Sequence, residues 1–358
     1  RITALGIRFG FWNEPQMVNP DSDLYRAHPD WVIGIPGRHA TQSRNQLVLD
    51  MGRPEVVDYL FESLDVVLRG APVTYIKWDM NRMLTEIHSG ALPPDRQGEV
   101  AMRHILGTYA LYRRLRAAYP EILFESCAGG GNRFDPAILA FAPQAWTSDD
   151  TDAIERLKIQ WGTSYVYPTS SMGAHVSAVP NHQVGRMAPL STRAAVAFWG
   201  AFGYELDPTA LTDAERAEVR EQIAWYKARR GLIQHGTFRR LIGPWDGDGN
   251  ETAWMSVSDD RAHAVVGWYR VLSRPEPGPR ALRLTGLDPA RVYRVAVWPE
   301  DERMARLNPS ASVQFAHRLL EASRRNFWQP DTQTLQALQE AGAELEDRLE
   351  GIQEGLPA

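Results

Sequence analysis

Cysteine is almost absent from this chain: one residue, Cys127, in 358. A single thiol excludes an intrachain disulfide framework and a cysteine-based zinc site. No stretch reaches the roughly eighteen uninterrupted apolar residues of a membrane span, so no membrane partner is expected. Nor is there a large excess of one charge. A formal net charge of -5 offers no electrostatic reason to bind nucleic acid or an anionic membrane surface. The nine histidines show no metal-ligand spacing, and neither a G-x-G-x-x-G run nor a P-loop Gly-Lys-Ser/Thr occurs, so no metal or cofactor is expected. Internal repeats and low-complexity segments are lacking too. The chain opens on Arg1, directly before a strand, with neither an initiator Met nor a targeting signal. It reads as part of something longer, with a cytoplasmic setting expected.

What is present is an ordinary globular composition, 44% apolar and 23% charged, long enough for one large domain and a smaller one. Short β-rich runs occur at "LGIRFGFW" (5–12), "NQLVLDM" (45–51), "VTYIKWD" (73–79), "EILFESCA" (121–128), "QAWTSD" (144–149) and "FWGAFGYELD" (198–207). Helical stretches separate them, at 53–69, 99–119 and 211–233, the last opening on the capping box Thr212–Glu215. Strands alternating with helices predict βα units and a parallel sheet. Unusual residues at the ends of several different strands, Trp12 to Glu14, Asp79, Cys127 and Asp149, favour a (β/α)8 barrel, whose site is assembled from strand ends. A doubly wound sheet concentrates its site at one switch point. Six or seven strands are legible in 1–235 where eight are needed, so a TIM-type barrel without its first strands is expected over 1–240. Turn-separated runs "TAWMSVS", "AHAVVGWYRV", "RALRLTG" and "RVYRVAVW" then predict a small antiparallel β domain over 244–300, followed by a charged helical tail over 301–358.

The stretch "VTYIKWDMN" carries the chemistry. In a strand, Lys77 and Asp79 share one face while Ile76 and Trp78 share the other. A charged pair opposite bulky apolar groups is either a strand-end salt bridge or the wall of a site. Asp79 alone reads more readily as a turn residue, and Asp152 in "WTSDDTDAIERLKIQW" as a helix cap. Neither reading accounts for Asp149 and Asp150 together at a strand end. The glycines of "ESCAGGGNR" could cradle a phosphate or let backbone approach a small ligand. Cys127, with no histidine nearby in sequence, reads as a packed or ligand-contacting thiol rather than a nucleophile. Two carboxylates on separate barrel strands, with aromatic and cationic residues around them, suit glycoside hydrolysis.

Four motifs in order, "RFGFWNEPQMVNPDSDLYRAHPDW", "KWDMNR", "ESCAGGGNRFD" and "WTSDDTDAIERLKIQ", resemble bacterial α-galactosidases of glycoside hydrolase family 36 over residues 1–298. The resemblance implies a retaining mechanism acting on α-galactoside oligosaccharides, with Asp79 as nucleophile and Asp149 as acid/base. It further implies that Trp12, Arg44, Lys77, Asn81, Cys127 and Gly130 contact the galactosyl unit, Lys77 helping to keep Asp79 ionised. A homo-oligomer, a tetramer in the family, is implied where the family's N-terminal β-sandwich is present. Residues 303–352 separately resemble the C-terminal end of the magnesium chelatase large subunit, through "RLLEASRRNFWQPD" and "LEDRLEGI". The alternatives are a transglycosylase using the same intermediate, or an inactive remnant that at most binds carbohydrate weakly.

Overall fold

The structure, a computed structural model, describes residues 3–273, 275 and 281–298. The chain divides into two compact units, Arg1–Arg230 and Gly231–Ala358. The first is built on strands β1 (Phe9–Asn13), β2 (Met17–Val18), β3 (Leu47–Val48), β4 (Val73–Trp78), β5 (Leu123–Ser126), β6 (Gln144–Trp146), β7 (Met172–Ser177) and β8 (Ala201–Glu205). Its helices are α1 (Asp23–Ala27), α2 (Pro54–Gly70), α3 (Val100–Ala118), α4 (Ala153–Thr163) and α5 (Leu190–Ala197). A sixth, α6 (Asp213–His235), runs across the boundary between the units.

Among the described residues one sheet of six strands runs in the order β1-β4-β5-β6-β7-β8, every neighbouring pair parallel. Each strand is laid down beside the one before it, and the order never reverses. A doubly wound sheet would change direction at a switch point, whereas a TIM-type barrel adds strands in this sequential way. The parallel arrangement gathers all six C-terminal strand ends on one side.

Side-chain alternation separates core from site as the sequence predicts. Ile76 and Trp78 are 1% and 0% exposed, and the Trp78 ring stacks on Tyr112 of α3 at 3.9 Å between centroids. Around them lie Leu60 and Leu64 of α2, Leu111 and Leu115 of α3, and Phe124 of β5. Removing an indole from such a core costs about 3–5 kcal/mol. Lys77 points to the opposite face of β4.

Local signals set the helices. Pro54 opens α2, where its missing N–H is no loss. Asp152 caps α4, accepting from the N–H groups of Ile154 and Glu155 at 3.0 and 3.1 Å. Thr212 and Glu215 form the reciprocal capping box before α6.

Two strand expectations differ from the structure. The run 45–51 contributes only Leu47–Val48, paired antiparallel with Met17–Val18 outside the main sheet. Leu47, Val48, Leu49 and Met51 are all buried, so the run is apolar because it is covered, not because it is a barrel strand. Strand β7, by contrast, was not among the expected runs. Its "MGAHVS" is poor in β-branched residues, yet Gly173 is required: a Cβ there would lie 2.8 Å from the Trp146 ring.

In the second unit, β9 (Thr237–Ile242), β10 (Glu251–Val257) and β11 (Ala264–Arg270) form an antiparallel sheet in the order β11-β10-β9. Its first strand precedes the expected start at 244. The expected strands at 280–286 and 291–298 are not formed among the described residues, where Val292, Val295 and Val297 are exposed. A run rich in β-branched residues becomes a strand only beside a partner. The expected helical tail, 301–358, lies outside the described residues, among which no helix is long and apolar enough to cross a membrane.

Candidate active site

The strand ends surround a cavity of about 360 Å³. Of the residues singled out in the sequence, Trp12, Arg44, Lys77, Asp79, Asn81, Cys127 and Asp149 line it. Residues separated by well over a hundred positions meet there because most lie at or just beyond the ends of strands of the same parallel sheet, while Arg44 comes from the turn before β3.

Asp79 directly follows β4 and is buried. Its Oδ1 accepts from the Met80 N–H at 2.8 Å, and its Oδ2 accepts from Trp12 Nε1 at 2.9 Å and Asn81 Nδ2 at 2.7 Å. Burial works against ionisation here, but the hydrogen bonds from Trp12, Cys127, Asn81 and Met80 outweigh it and hold the carboxyl below its ordinary range. Lys77, expected to keep Asp79 charged, has other partners: its Nζ is 3.9 Å from Glu125 Oε1 and 4.6 Å over the Trp146 ring. The stabilisation of Asp79 is thus a matter of direct donors.

Cys127 is one of those donors. Burial, and then the neighbouring Asp79, push its thiol pKa up, so it stays protonated and cannot serve as a nucleophile near neutral pH. Asn81 is held on three sides. Its Nδ2 bridges Asp79 and Glu14 Oε1, at 2.7 Å each, and its Oδ1 accepts from the Gly129 N–H at 3.1 Å. Glu14 also receives the Asn81 N–H at 3.0 Å and Arg44 Nη1 at 3.3 Å. Arg44 itself lies in a two-residue turn with Asn45, both at positive φ (55° and 59°) between the paired Ser43 and Gln46. That turn aims Arg44 at the cavity.

Asp149 lies beyond the end of β6. Its Oδ1 accepts from Trp146 Nε1 at 3.1 Å, and its backbone carbonyl accepts from Gln183 Nε2. Asp150 is not on the cavity wall and serves the turn before α4, accepting from the Asp152 N–H at 3.0 Å. Gly130 is likewise not a lining residue. With φ 81°, it packs where a Cβ would lie 2.8 Å from Ser148 Cα, and a Cβ on Gly131 would lie 2.6 Å from Thr147 O. The glycines of "CAGGGNR" let this loop press on the backbone that leads to Asp149.

Trp146, Thr151, His182, Gln183 and Glu205 complete the lining. Glu205 carries a sequence signal: it is a charged residue near the end of the β-run 198–207, as Asp79 is at the end of the run 73–79. Its carboxyl is held low by the bond to His175 Nδ1 at 3.2 Å, with Lys77 adding to the effect. His182 and Gln183, within the loop after β7, carry no comparable sequence signal.

The arrangement offers two carboxylates held low, Asp79 and Glu205, a third carboxyl, Asp149, on the same wall, an exposed indole for an apolar ring face, and Arg44, Lys77 and Asn81 as polar partners. That set suits a hydroxyl-rich ring whose exocyclic bond is to be broken.

Comparison with known proteins agrees. The family described as Melibiase matches residues 1–236, and the glycosyl hydrolase family 36 C-terminal domain matches residues 251–344, reaching into the expected tail. Alpha-galactosidase AgaA of Geobacillus stearothermophilus is 54% identical over 307 residues, covering 85% of this chain and 42% of that protein. Alpha-galactosidase 1 of Pediococcus pentosaceus is 48% identical over 303 residues, covering 84% of this chain and 41% of that protein. The crystal structure of AgaA superposes with a TM-score of 0.79 at 56% identity, over 80% of this chain and 40% of that one. An AgaA variant has been solved in complex with raffinose. The alpha-galactosidase structure from Lactobacillus brevis gives a TM-score of 0.81 at 52% identity, covering 84% of this chain and 40% of that one. The chain therefore spans about two fifths of the length of these relatives.

Proposed function

Because the chain belongs to the melibiase family, glycoside hydrolase family 36, we propose that it carries the catalytic centre of a retaining α-galactosidase acting on oligosaccharides that end in α-linked galactose. The observation that carries this reading is Asp79, held ionised by four donors on the wall it shares with Asp149. A carboxylate kept charged without a direct ion pair remains free to attack. The oligosaccharide class is supported by relatives solved with raffinose and with stachyose.

In the first step an oxygen of Asp79 attacks the anomeric carbon and forms a glycosyl ester. The bond to the leaving oxygen breaks, and that oxygen takes the proton of Asp149. In the second step Asp149, now ionised, takes a proton from water as the water oxygen attacks the anomeric carbon. The ester bond breaks, galactose leaves, and Asp79 is again a carboxylate. Trp12 offers its ring to the sugar while its N–H stays on Asp79, and Arg44, Lys77 and Asn81 bind hydroxyls.

Incubation with a 2-fluorogalactosyl fluoride, followed by peptide mass mapping, tests the reading. The expected product is one 2-fluorogalactosyl ester on the peptide containing Asp79, formed with loss of the anomeric fluoride. A label elsewhere, or turnover of a chromogenic α-galactoside that an Asp79→Ala chain retains, would sink it.

A further inference from the structure

Arg156 belongs to α4, but its side chain turns back beneath the segment that carries Asp149. The residue is 3% exposed, and among the described residues its guanidinium makes no ion pair with a carboxylate. Its donors go instead to neutral oxygens. Nε donates to Asp150 O at 2.8 Å, and Nη2 donates to Ser148 O at 2.8 Å. Nη1 donates to Thr147 Oγ1 and, at 3.2 Å, to Gly173 O on β7. The two shortest carbonyl contacts therefore lie immediately before and after Asp149. The same guanidinium sits 4.4 Å over the Trp146 ring, whose Nε1 donates to Asp149 Oδ1 at 3.1 Å.

Burying a cation carries a large desolvation cost, which the nearby carboxylates of Asp150, Glu205 and Asp149 offset in part without pairing directly with it. Burial pushes the pKa of Arg156 down to about 10, so the group is still charged near neutral pH. If helix packing were the only demand at this place, an apolar side chain would meet it at less cost. The contacts show what offsets the cost: a rigid planar fork that fits several carbonyls at once, which an ammonium group cannot imitate. The neighbouring cation, Lys77, also lies over Trp146, but from β4, and makes none of these backbone bonds.

We infer that Arg156 is a positioning residue for Asp149: it clamps the Ser148–Asp150 backbone and the Trp146 ring, so that the Asp149 carboxyl is held on the cavity wall. Arg156 is not itself a lining residue and does not touch the sugar. The inference rests on Asp149 being the acid/base.

The test uses two substrates in the full chain. A 2,4-dinitrophenyl α-galactoside releases a leaving group that needs no proton, whereas an alkyl α-galactoside needs one. Arg156→Met is expected to lower kcat/KM on the alkyl substrate at least roughly tenfold more than on the aryl one. The ratio of the two, taken on one preparation, cancels the active fraction, so a variant that folds poorly still reports. Arg156→Lys keeps the charge and loses the fork, and is expected to show the same split. Equal losses on both substrates, or a wild-type ratio in Arg156→Lys, overturn the inference. Asp149→Ala serves as reference. A split there without one in Arg156→Met overturns only the positioning role, whereas no split in Asp149→Ala overturns the acid/base reading on which that role rests.

Discussion

The indole N–H of Trp12 donates to Oδ2 of Asp79 at 2.9 Å, across two parallel strands whose register places Trp12 opposite Lys77. One residue thus presents an apolar ring to the cavity and a proton to the carboxylate. Trp12→Phe keeps most of the ring and deletes the donor. A hydrogen bond to a charged group contributes about 1.5–3 kcal/mol, which corresponds to about one to two pH units. The pKa of Asp79 should therefore rise, moving the acidic limb of kcat/KM to higher pH. The same depressed pKa stabilises the fold above the unfolded carboxyl value, about 3.9, and that contribution disappears as pH falls through the folded value. Trp12→Phe should shrink this acid-side stabilisation. A pH–rate profile superimposable on that of the parent chain would rule the role out.

The two carboxylates should separate in azide rescue. Asp149→Ala is expected to lose roughly 10²–10⁴-fold on substrates with poor leaving groups, and azide should then restore turnover with an α-galactosyl azide as product, because it attacks the β-linked galactosyl ester from the α face. Asp79→Ala should give the β-product instead, azide having replaced the nucleophile and displaced the α-linked leaving group once, with inversion. Asp150, which supports the turn before α4, should show neither pattern. Anomeric assignment of the azide by NMR decides, and rescue in Asp150→Ala would shift the acid/base by one residue.

Cys127 should be inert in the native chain. It is buried, and its thiol is pushed up first by burial and then by Asp79. Iodoacetamide at pH 8 is expected to label it only after unfolding. Asp79→Asn removes one of the two causes while leaving the volume unchanged, so alkylation should accelerate. Rapid labelling of the parent chain, followed by mass spectrometry, would contradict the burial and the donor role alike.

Gly130→Ala tests the contact between the glycine loop and the Asp149 segment. The position has φ 81°, and a Cβ would meet Ser148 Cα at 2.8 Å and Asp149 N at 3.0 Å. Strain of this kind costs about 1–3 kcal/mol, and each kcal/mol should lower Tm by roughly 2–4 °C in a domain of this size. Activity on an alkyl galactoside should fall with it. Gly162→Ala on α4, where nothing lies near the added methyl, is the comparison and should hold or raise Tm. Equal melting temperatures for the two variants would show that the loop can retreat.

What could be read from the chain alone were features whose partners lie within a few residues, or whose period is that of one element. The alternation that sends Trp78 inward and Lys77 outward is of this kind, as are the Asp152 cap and the Thr212–Glu215 box. Asp79 and Asp149 stood out because charge at the end of an apolar run is conspicuous before any fold is known. The strand β7 carries little β signal because its Gly173 is demanded by the Trp146 ring beside it, where a Cβ would lie 2.8 Å away, not by β propensity.

The rest was decided by parallel register and by burial, neither of which leaves a local trace. That Lys77 would turn to Glu125, 48 residues on, follows from β4 lying beside β5 in one particular register. Glu14 reaches Asn81 across 67 residues, and Arg133 reaches the carbonyls of Trp78 and Cys127 at the strand ends beside Asp79. Arg156 looks in sequence like any helix cation, and only the closed tertiary packing turns its side chain under the Asp149 segment. A strand's own residues determine which face each side chain takes. Which donor meets which carboxylate is determined by the neighbour the sheet supplies, because hydrogen bonds and ion pairs act over a few ångströms of space regardless of separation along the chain.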